Sequence, residues 1–74
     1  MLITRGDFVV SYAPLWDTMK KRDITAYALN KKYDINDYTL TRMRRNMHVS
    51  TRTLEDLCRI LDCSVQDVVF IGKE

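Results

Sequence analysis

The sequence predicts an all-α fold, a bundle of five short helices with room for short β segments at the termini. Three observations lead there. Only two glycines and one proline interrupt 74 residues, so long loops have little to build on. Capping residues at Thr25, at Asn36 and at Ser50 or Thr51 each precede apolar residues at helical spacing. The central stretch from Ile24 to Asn46 reads as two short helices joined by a tight turn. A chain of this length buries only about 60% of the surface its unfolded form exposes, which leaves one small core and no deep catalytic cleft.

Taken in order, Pro14 suits the first turn of a helix, where its missing N–H costs nothing, and that helix continues to about Arg22. Leu15 and Met19 share one side of it, with Trp16 a residue round and expected to pack beside Tyr12. Thr25 caps a second helix from Ala26 to about Tyr33, on which Leu29 is placed to meet Leu40 of the next. Asp34 and Ile35 form the turn. Ile35 is apolar in an otherwise polar connection and is expected to plug the crevice between the two helices.

Asn36 caps the third helix, Asp37 to Arg45. At 100° per residue, Leu40, Met43 and Thr39 fall at about 300°, 240° and 200° from Asp37, an apolar or small side that faces the core. Asp37, Thr41, Arg45, Tyr38 and Arg42 occupy the opposite side, which has nothing apolar to bury except a tyrosine ring. Such a helix spans roughly 13 Å, and the major groove of B-DNA is about 12 Å wide. The alternative is an ordinary solvated surface helix.

Asn46 to Val49 connects to a fourth helix in which Leu54, Leu57, Cys58 and Leu61 make an inward stripe. Asp62 and Cys63 turn the chain, and Ser64 with Asp67 resembles a capping box that opens a fifth helix. Val65, Val68 and Val69 close the bundle. At the start, Leu2-Ile3 and Phe8-Val9-Val10 flank Thr4 to Asp7 as a possible small hairpin, and Val68 to Ile71 could extend into a strand beside it. These apolar ends need cover, either from an intramolecular strand pair or from a two-fold dimer. The chain therefore divides into an N-terminal arm or short strand, residues 1–10, and a globular domain, residues 11–71.

Net charge is only +2, but its distribution is uneven. Residues 17–46 carry eight basic side chains against four acidic ones, and the remainder carries four against six. Positive charge thus gathers on the helices with the polar outer face, the electrostatic footprint of a nucleic-acid partner. No run of 18 or more apolar residues and no basic-then-apolar leader is present, so a cytoplasmic protein without a membrane partner is expected.

Catalysis and metal binding find little support. Cys58, Cys63 and the single His48 supply three soft ligands at unsuitable spacing, and Cys58 lies on an apolar stripe where small buried cysteines are common. Glu55 and Asp56 are adjacent on a helix and point apart. No activated serine or glycine-rich loop can be traced, so neither enzyme activity, a cofactor, a metal nor a small-molecule substrate is expected. Arg5-Gly6-Asp7 spells an integrin-binding tripeptide, but three residues match by chance.

Over roughly residues 11–70 the sequence resembles the phage repressor and Cro group of helix-turn-helix DNA-binding domains, also called the xenobiotic-response-element family. Ile24-Thr25, Leu29, Ile35 and the run Thr39-Leu40-Thr41-Arg42-Met43 carry the resemblance. Ser11 to Trp16 and Thr51 to Val69 look like the flanking helices of a compact bacterial subgroup. Three positions depart from the pattern. Ala26 replaces a phosphate-contacting glutamine, Asn30 a small alanine at the helix contact, and Asp34 the turn glycine, although aspartate enters the left-handed region more readily than most residues.

The resemblance implies a repressor-like helix-turn-helix bundle that binds double-stranded DNA sequence-specifically and regulates transcription, with the third helix in the major groove. It places Asp37, Tyr38 and Arg42 at base-reading positions, and Arg42 can make a bidentate contact with guanine O6 and N7. Thr39 and Thr41 can bond phosphates from either edge of the helix. Arg45, Asn46, Arg52, Lys31 and Lys32 are candidate backbone contacts, because cations near phosphates release counterions. One half-site gives little affinity, so a homodimer is expected. The rival function is a protein-interaction adaptor or antitoxin-like module that keeps the fold without specific DNA binding; an RNA-binding adaptor is a weaker one.

Overall fold

The computed structural model describes residues 8–73. Four helices and a two-stranded sheet follow one another as β1 (Phe8–Ser11), α1 (Ala13–Arg22), α2 (Ala26–Lys31), α3 (Asp37–Arg44), α4 (Thr51–Leu61), a single 3₁₀ turn (Val65–Asp67) and β2 (Phe70–Lys73). The caps are those the residue types dictate. Thr25 accepts from the Ala28 N–H at 3.0 Å, Asn36 from the Tyr38 N–H, and Ser50 from the Thr53 N–H at 3.2 Å, each satisfying an amide that the helix itself leaves free.

The core collects one or two residues from each of the four helices, Leu15 and Met19, Leu29, Leu40 and Met43, and Leu57 and Leu61, together with Tyr12, Ile35 and Val68 from the connections. Leu29 and Leu40 are both fully buried in this cluster, and Trp16 packs half-buried on its rim. Thr18 is a buried polar residue, and its hydroxyl donates to the Asp67 carbonyl at 2.7 Å, tying α1 to the 3₁₀ turn. Arg22 Nη2 donates to the Asp62 carbonyl at 3.0 Å, fastening α1 to the end of α4.

Two expectations need correction. The fifth helix is only the 3₁₀ turn Val65–Asp67. The Asp67 carboxylate does accept the Ser64 N–H at 3.2 Å, as a capping box requires. The next residues are Val68, Val69, Phe70 and Ile71, β-branched or aromatic side chains that favour extended chain, so the turn does not propagate. Helix α2 also ends at Lys31 rather than near Tyr33, because the Ile35 N–H reaches back to the Leu29 carbonyl at 2.9 Å and the chain turns through Asp34.

The apolar ends meet each other within the chain. β1 and β2 pair antiparallel, with Phe8 opposite Lys73, Val9 opposite Gly72, Val10 opposite Ile71 and Ser11 opposite Phe70. Of the two covers considered, the intramolecular strand pair is therefore present. The hairpin arm Leu2-Ile3 and its turn lie outside the described residues. Pairing leaves Phe8 and Ile71 half or more exposed on one sheet face and Phe70 partly exposed on the other.

Candidate nucleic-acid interface

Five residues, Lys32 to Asn36, join the two central helices. Asp34 adopts the left-handed conformation at φ 62°. Ile35 follows with 7% of its surface exposed, plugged into the core. Its carbonyl accepts from Asn30 Nδ2 at 2.9 Å. Its N–H is the one bonded to Leu29. The angle between α2 and α3 is thus set by backbone and by one side chain, not by a flexible loop.

On α3 the inward face is Leu40 and Met43, both buried, with Thr39 half-buried beside them. The outward face presents Asp37, Tyr38, Thr41 and Arg44, and Arg45 and Asn46 follow the helix end, all exposed. Tyr38 keeps 68% of its surface open, an unusual exposure for a large aromatic side chain. Lys31 and Lys32 are exposed at the end of α2, and Arg52 is exposed in the first turn of α4. The expected site residues therefore lie on α3, just after it, and on the ends of α2 and α4 that precede and follow it in the chain.

Arg42 is the exception to simple exposure, being half-buried. Its Nε and Nη2 both donate to the His48 carbonyl, at 3.2 and 2.8 Å. Nη1 reaches the Tyr38 hydroxyl at 3.5 Å, and the guanidinium carbon stands 5.7 Å from the centre of that ring, within cation–π range. Each Nη nitrogen carries two N–H groups, so one on each is left for a ligand. Asn46 is also partly committed. It takes a left-handed φ of 58°, and its Oδ1 accepts the Tyr12 N–H at 3.1 Å.

Tyr12 was not among the residues that sequence singled out for the site. Its ring is buried and its hydroxyl donates to the Met47 carbonyl at 2.9 Å. Burial pushes the Tyr12 hydroxyl above its ordinary titration range, against a smaller opposing pull from the Val49 backbone and the Arg42 guanidinium. Tyr27, which was not singled out either, is 73% exposed on α2, next to Ala26, the position where the sequence departs from the family's phosphate-contacting glutamine. A large aromatic on the polar side of a short helix was the signal available for it.

A family model for the Cro/C1-type helix-turn-helix DNA-binding domain matches residues 14–71. The chain belongs to that family. Among solved structures, the crystal structure of the transcriptional regulator VanUg is similar at a TM-score of 0.83 and 24% identity, covering 100% of this chain and 99% of that one. No curated protein matches the sequence. In the Cro/C1-type architecture α2, the Asp34-Ile35 turn and α3 are the helix-turn-helix, and no helix among the described residues is long and apolar enough to cross a membrane.

Proposed function

We propose that this protein is a cytoplasmic, sequence-specific transcriptional regulator that lays α3 in the DNA major groove. One observation carries the proposal: the outer flank of α3, with Tyr38 and the free edge of Arg42, is bare, while Leu40 and Met43 on its inner flank are buried in the core. A helix held so leaves its first two turns available to base edges. Asp37, Tyr38 and Arg42 read bases. Thr39, Thr41, Arg45, Asn46, Arg52, Lys31 and Lys32 bind the sugar-phosphate backbone, which positions the helix but carries little sequence information.

The functional unit is a homodimer. Two copies would set two α3 helices about 34 Å apart on one face of the duplex and so read a pseudo-palindrome. Phe8 and Ile71 share one face of the sheet and expose 50% and 66% of their surfaces, which gives a second copy an apolar surface to cover.

Selection of bound duplexes from a random pool tests the proposal. The wild-type protein is expected to enrich a two-fold symmetric site, and Arg42→Ala to lose preference at one base pair per half-site while folding normally. Enrichment of no sequence by the wild-type protein would refute specific recognition and favour the adaptor function.

A further inference from the structure

We propose that Tyr12 is a specificity-positioning residue, which acts through the Asn46–His48 loop to hold the Arg42 guanidinium in its base-reading orientation. The inference rests on the base-reading role proposed above for Arg42.

A continuous set of contacts joins the two residues. Tyr12 stands between β1 and α1, 2% exposed, and grips the loop twice: its N–H on Asn46 Oδ1 at 3.1 Å and its hydroxyl on the Met47 carbonyl at 2.9 Å. The next carbonyl along, that of His48, receives both Nε and Nη2 of Arg42. The Met47 N–H donates in turn to the Arg42 backbone carbonyl at 2.9 Å. The loop is thereby pinned to Arg42 at backbone and side chain, and to Tyr12 at backbone and side chain.

The physical consequence concerns orientation. A free arginine pays conformational entropy when it is fixed against a base, and a bidentate contact tolerates little angular error. A carbonyl already holding the Nε side fixes the plane of the guanidinium before DNA arrives and turns the unused Nη N–H groups outward. Met47 and His48 are exposed, with no burial of their own to keep the loop still. Without the hydroxyl of Tyr12 the loop that carries the acceptor loses one of its anchors, the one on the Met47 carbonyl.

The test uses the full chain and the base pair at which Arg42→Ala loses preference. Tyr12→Phe keeps the ring in the core and removes only the hydroxyl. It is expected to reduce discrimination at that pair by about two- to tenfold, the range one net hydrogen bond spans, with non-specific affinity and salt slope unchanged. In an Arg42→Ala background the same substitution is expected to change nothing further. Asn46→Gly, which retains the left-handed turn and removes the other acceptor, should act in the same direction. In the absence of DNA, the Arg42 Nε–H resonance should exchange with water faster in Tyr12→Phe than in wild type. Wild-type discrimination in Tyr12→Phe, or unchanged Nε–H exchange, overturns the inference even if thermal stability falls. A wild-type protein with no base pair sensitive to Arg42→Ala overturns the base-reading role itself, a separable result.

Discussion

Asn30 stands where the helix-turn-helix pattern has a small alanine, and its carboxamide supplies something alanine lacks, a donor to the Ile35 carbonyl across the turn. Asn30→Ala is accordingly expected to cost about 1 kcal/mol of stability, the usual net worth of such a bond; urea denaturation followed by circular dichroism would check it. A second residue-scale expectation concerns pH. Burial raises the Tyr12 hydroxyl and the Cys63 thiol above their ordinary values of 10.0 and 9.0, so the folded state holds both protons more tightly than the unfolded chain. Their stabilising contribution is therefore complete below those values and is lost as pH rises through the folded ones. The melting temperature should decline above about pH 9, and less steeply in Cys63→Ala. Equal slopes would show that the thiol does not contribute. At this scale sequence was only partly informative. It named Arg42 and Asn46 as DNA contacts, but the His48 and Tyr12 partners that already engage them lie six and thirty-four residues away and have no signature in spacing.

At the scale of elements, the left-handed residues form a pattern. Among the described residues the four non-glycine positions with positive φ are Asp23, Asp34, Asn46 and Asp62, each at or shortly beyond the end of a helix. Helices commonly end on a left-handed residue, usually glycine, with asparagine and aspartate the next best because their side chains tolerate the region. After α4 the geometry is a Schellman turn, with the Cys63 N–H on the Cys58 carbonyl at 3.0 Å and the Asp62 N–H on the Arg59 carbonyl at 3.4 Å. Asp62→Gly should relieve strain there and leave the Arg22 contact intact, since Arg22 bonds the backbone carbonyl. A gain of about 0.5 to 1 kcal/mol in unfolding free energy is expected, the left-handed penalty less the added freedom of glycine in the unfolded chain; a loss would show that the aspartate side chain stabilises its own turn. Helix starts were readable because Thr25, Asn36 and Ser50 cap by local chemistry. The end of α2 and the failure of the fifth helix were not, because each depends on what the next segment does.

For the whole molecule, charge and apolar surface divide the work. Residues 17–46 carry the basic excess together with the exposed tyrosines Tyr27, Tyr33 and Tyr38, while the sheet exposes Phe8, Phe70 and Ile71, so one region suits a polyanion and another a second copy. If Arg45 contacts phosphate, Arg45→Ala should weaken binding to every duplex alike and reduce the log-log salt slope by about one. If the sheet forms the dimer, Ile71→Glu should yield monomers by sedimentation velocity and reduce affinity for the full site more than for a half-site. A wild-type protein that sediments as a monomer at high concentration would remove the dimer from the proposal.

By itself the sequence determined the helical class, the three side-chain caps, the turn plug at Ile35 and the two flanks of α3. Those follow from periodicity and from residues that satisfy their own neighbouring backbone. Tertiary structure decided that the apolar ends pair with one another, that the last helix stops after one turn, and that Arg42 is held from behind by the loop Tyr12 grips. Each of these depends on a backbone group finding a partner remote in the chain or on what the following segment does, and no local pattern encodes where that partner will lie.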